Sequence, residues 1–351
     1  MKAEVLSYLY KKTRENVINR IYKNQNKSCR PRDLEEAVDI GDKKLKSLPR
    51  LLCTFPIPNN IGVNLYGLYF PSPLTLASFK DDLEIIDVWL SLGLGGACIK
   101  TVMREYSAGN KRPLLREIRV NGYDCLINAM GLPRRGVEAK IKELEHSNIF
   151  SHNRPIGLSI GGDSLAEYKY NFDLLDNYLS TKVNCQFYYE INVSCPNTPE
   201  GQSMTKHPEL LVDLLNYMRE RTSTIIGAKF SPDATDKDLL ELCKLLKVFP
   251  KTYVNLGNTS FKKCEDINLP VYAISIVGGV LSGPALYPRT LEMTRLIAPT
   301  GIPIIATGGV DSVRKVKELL DNGVSLVGMA TAVVRDMYCI PKINQELSKM
   351  Y

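Results

Sequence analysis

The chain has 351 residues, 44% hydrophobic and 24% charged, a composition that excludes a disordered or fibrous polymer and leaves a globular protein with a sizeable core. Nine cysteines are scattered singly without a CxxC pair, and no apolar run approaches the ~18 residues of a membrane span; metal clusters, a disulfide framework, a secretory signal and a transmembrane segment are not expected, and reduced thiols place the chain in the cytoplasm. Of the net charge of +7, most sits in residues 1–50, which hold thirteen Lys/Arg against seven Asp/Glu, so the body lacks the basic surface of a nucleic-acid binder.

Residues 1–60 read as a basic, helical extension in which Val5, Leu6, Leu9, Val17, Ile18 and Ile21 form an amphipathic stripe. The stripe fits packing on the body of the protein or on a subunit neighbour, and also fits contact with a membrane surface. Beyond it, residues 61–351 read as one domain. Short runs rich in β-branched residues at 73–78, 97–100, 155–160, 188–194, 225–230, 253–256, 302–307 and 325–330 predict strands. Helical periods at 81–92, 134–146, 165–179, 208–221, 236–248, 289–297 and 311–321 lie between them, with Asp236 and Asp311 at helix starts and Gly323 as a stop. Eight such units predict a parallel (β/α)₈ TIM barrel. The long connections at about 101–154, 195–207 and 257–288 are candidates for site-building loops.

Polar residues fall at the ends of these strands. Lys100, Asn192, Ser194, Cys195, Lys229, Asn258 and Thr307-Gly308-Gly309 all converge on the C-terminal rim, where barrel enzymes keep their active sites. A buried lysine is costly unless an anion answers it, so Lys100 and Lys229 imply an electron-rich ligand; a structural ion pair with a neighbouring carboxylate is the other reading of Lys229. The glycines of 308–309 and the Ala330-Thr331 turn resemble a phosphate cradle, although a Gly pair by itself is also a tight turn. In Glu190-Ile191-Asn192-Val193-Ser194-Cys195-Pro196-Asn197, a thiol with a pKa of ~8.5 on a proline-stiffened loop suits a general base; a lone cysteine is otherwise a small buried residue. Asn128, Asn192, Asn197 and Asn258 make an amide-rich set suited to a planar ligand with alternating donors and acceptors.

Taken together, the NVSCPN segment, the Asn128-Ala129-Met130-Gly131-Leu132-Pro133 loop and the two rim lysines resemble the dihydroorotate dehydrogenases, over about residues 65–334. The resemblance implies FMN as cofactor, dihydroorotate and orotate as ligands, a role in pyrimidine synthesis and a homodimer. It also implies that Cys195 removes the C5 proton while hydride leaves C6 for the flavin, with Lys229 stabilising negative charge on the ring and Lys100 beside flavin and substrate. The substrate contacts it implies are Lys100, Asn128, Met130, Gly131, Leu132, Asn192, Asn197, Asn258 and Thr259. Its flavin contacts are Ala77, Ser78, Lys100, Thr101, Asn192, Lys229, Gly279, Gly283, Thr307, Gly308, Gly309, Ala330 and Thr331.

Three features depart from the family pattern, one of them the Ala330-Thr331 turn, where glycine-threonine is common. The 278–284 segment carries one residue more than the usual turn. The cysteine base resembles the soluble branch, with fumarate as the favoured electron acceptor and quinone or NAD as the alternatives, whereas a helical extension resembles the quinone-linked branch. Rival readings are a flavin barrel acting on tRNA uridine and a non-catalytic barrel that binds a phosphate ligand.

Overall fold

The structure is a computed structural model and describes residues 1–182, 185–193 and 204–351. Ahead of the barrel lie α1 (Lys2–Lys27), α2 (Glu35–Lys46), the single turn α3 (Arg50–Cys53) and a hairpin of β1 (Val63–Leu65) and β2 (Leu68–Phe70). Eight parallel strands then close on themselves: β3 (Leu74–Leu76), β4 (Gly96–Val102), β7 (Ile156–Ile160), β8 (Phe187–Asn192), β9 (Ile226–Phe230), β10 (Thr252–Leu256), β13 (Ile304–Thr307) and β14 (Leu326–Met329). Each matches one of the eight expected strands. Their side chains are almost wholly buried because helices cover the outside and side chains fill the inside.

The covering helices include α4 (Leu83–Ser91), α5 (Val137–Glu145), α6 (Leu165–Leu179), α7 (Pro208–Arg219), α8 (Asp236–Lys247), α9 (Tyr287–Ile297) and α10 (Val313–Asp321). Local capping starts several of them. Asp82 accepts from the amides of Glu84 and Ile85, Ser164 from Glu167, and Thr235 from Asp238, each answering amides that lack an intrahelical partner. Asp311 lies before its helix and pairs with Lys315 at 2.9 Å, and Gly323 takes the left-handed conformation after the last turn. Two short helices, α11 (Thr331–Arg335) and α12 (Cys339–Leu347), end the chain.

Two of the three long connections are not loops. Residues 115–128 form β5 (Leu115–Val120) and β6 (Tyr123–Asn128), and residues 260–282 contain β11 (Ser260–Lys263) and β12 (Gly278–Ser282). They join as one antiparallel sheet in the order β11-β12-β6-β5, built from insertions after barrel strands β4 and β10. At the opposite end the β1–β2 hairpin plugs the barrel floor: Leu65 and Phe70 pack with Tyr188 and Tyr253, and the Tyr66 hydroxyl donates to the Thr252 carbonyl at 3.1 Å.

The extension packs on the barrel through part of the expected stripe: Ile18 and Ile21 are buried and Leu6 and Val17 half-buried, and the departure is at Val5 and Leu9. The buried residues of α1 are Ala3, Ser7, Ile18, Ile21 and Gln25, whereas Val5 and Leu9 are exposed. At 3.6 residues per turn, Val5 sits about 160° round the helix from Ala3, and the helix turns its polar Ser7 inward. Ser7 Oγ donates to Asp336 Oδ2 at 2.6 Å, and Lys342 Nζ donates to both, at 2.8 and 2.9 Å. At the other end of α1, Gln25 closes the turn into α2: its Nε2 donates to the Asp33 carbonyl at 2.8 Å and its Oε1 accepts from the Asp33 amide at 3.0 Å. Asp33 in turn accepts from the amides of Leu114 and Leu115 at the start of β5.

Replacing Gln25 with Ala leaves the buried Asp33 amide and carbonyl without partners, at about 1–3 kcal/mol each. A loss of about 2 kcal/mol or more in urea unfolding is expected for Gln25→Ala, against a change of a few tenths for an exposed α1 control such as Asn24→Ala.

Candidate active site

Because all eight barrel strands run parallel, their C-terminal ends share one mouth, and strand pleating sends alternate residues into the interior. Lys229 near the end of β9 is 5% exposed, with Asn192 on β8 and Asn255 on β10 as its lateral neighbours in register. Its Nζ donates to Ser78 Oγ at 3.1 Å, and Ser78 Oγ donates to Glu190 Oε1 at 2.8 Å. The second oxygen of Glu190 accepts from Asn255 Nδ2 at 2.7 Å and from the Tyr253 hydroxyl at 3.4 Å. A buried carboxylate therefore sits one hydroxyl away from a buried ammonium. Burial, and after it the Glu190 charge, push the neighbouring Cys98 thiol and Tyr253 phenol well above their ordinary values, so both stay neutral.

A second buried line runs across β4, β7 and β8. Asn192 Nδ2 donates to Thr101 Oγ1 at 2.9 Å, which meets Ser159 Oγ at 3.0 Å. Further out, Lys100 Nζ donates to the Pro133 carbonyl at 2.9 Å, which ties the second barrel strand to the 128–133 loop. Gly131 and Leu132 in that loop both have positive φ, at +67° and +51°, while the Met130 carbonyl accepts from the Asn110 amide. Asn128 Nδ2 reaches the Val280 carbonyl at 3.4 Å, and Thr331 Oγ1 donates to Ser282 Oγ at 3.0 Å. The expected residues are thus joined round the mouth through the added sheet.

A cavity of about 700 Å³ opens beside Lys229. It is lined by Ala77, Ser78, Lys229, Asn258, Thr259, Ser282 and Gly283 at one side and by Thr307, Gly308, Gly309, Ala330 and Thr331 at the other. The glycine pair is a conformational requirement: Gly308 has φ +128° and Gly309 φ +73°, and a Cβ at Gly309 would stand 2.5 Å from the Tyr287 amide nitrogen. Such a turn leaves backbone amides open toward a phosphate. Among the described residues, Thr307 Oγ1 and Asn192 Oδ1 are buried without a hydrogen-bond partner. Unmet buried polar atoms are costly, and with a cationic donor at one end and an amide cradle at the other they fit a flat, polar ring carrying a phosphate tail.

Several expected residues are placed differently or fall outside view. Ser194, Cys195 and Asn197 lie outside the described residues. Lys100, Thr101, Asn128 and Asn192 are joined in the hydrogen-bonded lines above but do not line the cavity. Gly279 does not line the cavity: a Cβ there would meet Ile127 and Ile274, and of the extended 278–284 turn Ser282, Gly283 and Pro284 reach the cavity. Glu190, Ser159 and Ser282 were not singled out from the sequence. An acidic residue in the middle of an otherwise apolar strand was the available signal for Glu190, because a parallel barrel strand has no solvated face to put it on.

Residues 60–351 match the family model described as Dihydroorotate dehydrogenase. Among curated relatives, the quinone dihydroorotate dehydrogenase of Arthrobacter sp. is 29% identical over 90% of this chain and 94% of its own length. That of Thermus thermophilus is 31% identical over 78% of each. The catalytic subunit of the NAD(+) dihydroorotate dehydrogenase B of Streptococcus pneumoniae is 28% identical over 83% of this chain and 92% of its own. In fold, the chain resembles the crystal structure of DHODH from Eimeria tenella in complex with ferulenol, at a TM-score of 0.69 and 18% identity over 84% of this chain and 87% of that one.

If the 308–309 turn cradles a phosphate, Gly309→Ala should lower cofactor retention about tenfold or more, the equivalent of ~1.4 kcal/mol of strain. The readout is flavin absorbance per protein after gel filtration, with the far-UV circular dichroism unchanged; full retention would remove the turn from the site.

Proposed function

The chain belongs to the dihydroorotate dehydrogenase family, FMN oxidoreductases of pyrimidine biosynthesis, and from that premise we propose that it oxidises dihydroorotate to orotate at the mouth of its barrel with FMN as cofactor. The observation that carries the site assignment is the cavity that runs from the Lys229 ammonium to the Gly308-Gly309 turn. When bound there, FMN supplies the hydride-accepting and electron-passing chemistry that no side chain of the protein has.

The residues of the chain hold and steer. Thr307, Gly308, Gly309, Ala330 and Thr331 would bind the phosphate, with Ala77, Ser78, Thr101 and Gly283 along the flavin and Lys229 opposing negative charge at its ring. Lys100, Asn128, Asn192, Asn197, Asn258 and Thr259, with the backbone of Met130, Gly131 and Leu132, would hold the substrate ring and carboxylate. Cys195 would take the proton from C5. Burial pushes up the thiols of Cys98 and Cys125, that of Cys185 to about 11 and that of Cys243 to about 12, which makes these poor proton acceptors at neutral pH and supports the choice of a rim cysteine.

For the electron acceptor, the relatives revise the preference drawn from Cys195 alone. Quinone becomes the first candidate, since the Arthrobacter and Thermus relatives are quinone enzymes and the former aligns over more of the chain than the barrel by itself supplies. Fumarate is the second reading, favoured by one feature: beside α1 the outer wall of the cavity carries Glu4, Lys11, Arg335, Asp336, Lys342 and Glu346, a charged surface better suited to a dicarboxylate than to an apolar ring. Among the described residues, no helix is long and apolar enough to cross a membrane.

Anaerobic mixing with dihydroorotate should bleach the oxidised-flavin absorbance, and persistence of that absorbance would refute the assignment. Reoxidation by a soluble quinone faster than by fumarate or NAD would support the first acceptor, and the reverse order the second. Cys195→Ala should keep its flavin while bleaching slows by ~10²–10⁴, the size of a lost general base; an unchanged rate would take Cys195 out of the reaction.

A further inference from the structure

The deepest polar feature of the mouth contains a carboxylate, that of Glu190, which no expected role uses. Glu190 is 1% exposed and Lys229 5%, and the two are joined through a single hydroxyl. The direction of that link is fixed. A serine hydroxyl has one proton and an ammonium has no acceptor, so Ser78 accepts from Lys229 at 3.1 Å and spends its own proton on Glu190 at 2.8 Å. The other oxygen of the carboxylate is held by Asn255 and Tyr253, so Glu190 cannot turn away. The remaining titratable groups packed here, Cys98, Tyr188 and Tyr253, are driven toward their neutral forms by burial.

We propose that Glu190 is a positioning residue for the reaction: its buried carboxylate anchors the Lys229 ammonium at the mouth through Ser78 and balances its charge. The inference rests on the reading of Lys229 as the cation facing the flavin ring. An ammonium whose charge is balanced from beneath stabilises extra electron density above it less than a lone ammonium does, and a lone carboxylate opposes that density outright. Glu190 therefore sets how readily the bound cofactor is reduced, without touching it.

The test compares wild type with Glu190→Gln, Glu190→Asp, Lys229→Met and the double variant Glu190→Gln/Lys229→Met, each as the FMN-loaded full chain at pH 6. The readout is the ratio of reduced to oxidised flavin against a reference dye. Glu190→Gln should raise the ratio about tenfold, or about 30 mV for a two-electron couple. Lys229→Met should lower it, the double variant should return toward wild type, and Glu190→Asp should stay near it. A carboxylate with only a structural role would give no opposed shifts and no cancellation, and that result, with Lys229→Met alone moving the ratio, overturns the proposal. Should Glu190→Gln fail to fold, Ser78→Ala, which cuts the anchor while leaving both charges, should move the ratio in the direction of Lys229→Met; no movement overturns the proposal equally. FMN titration of the wild type by fluorescence separates the two readings, because failure to bind FMN refutes the site assignment itself.

Discussion

An ammonium group in the dry centre of a closed barrel has to be answered by an anion, and the arrangement of the mouth follows from that demand. Lys229 is nearly buried and faces solvent only where the cavity opens, and within the layer its charge is answered by Ser78 and Glu190. Glu190 then needs its own remaining lone pairs filled, which fixes Asn255 and brings in Tyr253. Polar groups in a low-dielectric interior come as complete sets or not at all. Both oxygens of Glu190 are filled, while Asn255 Oδ1, Thr307 Oγ1 and Asn192 Oδ1 keep acceptor capacity that no described residue takes up.

This division separates two kinds of polar residue at the same rim. Those below carry charge and are rigidly held; those above present unspent acceptors, amides and hydroxyls. A site built this way can bind a flat heteroaromatic ring without collapsing when the ring is gone, because its electrostatics do not depend on the ligand for their balance. The extension contributes in another way. Its Ser7 enters the Asp336–Lys342 pair, and Glu4 and Lys11 line the cavity, so part of the cavity wall is made by α1.

The barrel was legible in the sequence because its strands are apolar runs of fixed length separated by amphipathic helices, and period alone distinguishes the two. The turn at Gly308-Gly309 was legible because adjacent glycines at a strand end mark backbone with positive φ. What the sequence hid was of three kinds. The strands of 115–128 and 260–282 lie in stretches that read as loops, since they have little periodicity of their own and the two pairs, β5–β6 and β11–β12, become one sheet only through the β6–β12 seam more than a hundred residues apart in sequence. The buried face of α1 was read correctly at Ile18 and Ile21 and misjudged at Val5 and Leu9, because hydrophobicity marks the stripe only when burial is apolar, and Ser7 and Gln25 are buried for their hydrogen bonds. Glu190 was passed over because a carboxylate beside a candidate base draws attention outward along the loop instead of inward to the lysine that needs it.

The β6–β12 pairing has a consequence for how the protein reaches its working form. Asn128 and Val280 are 152 residues apart, and the strands that carry them rise from barrel units that become neighbours of a common mouth only when the cylinder closes. Contacts of such separation form late, since the entropy of closing so long a chain segment is lost before the contact returns anything. The β6–β12 seam is therefore expected among the contacts that close late in folding.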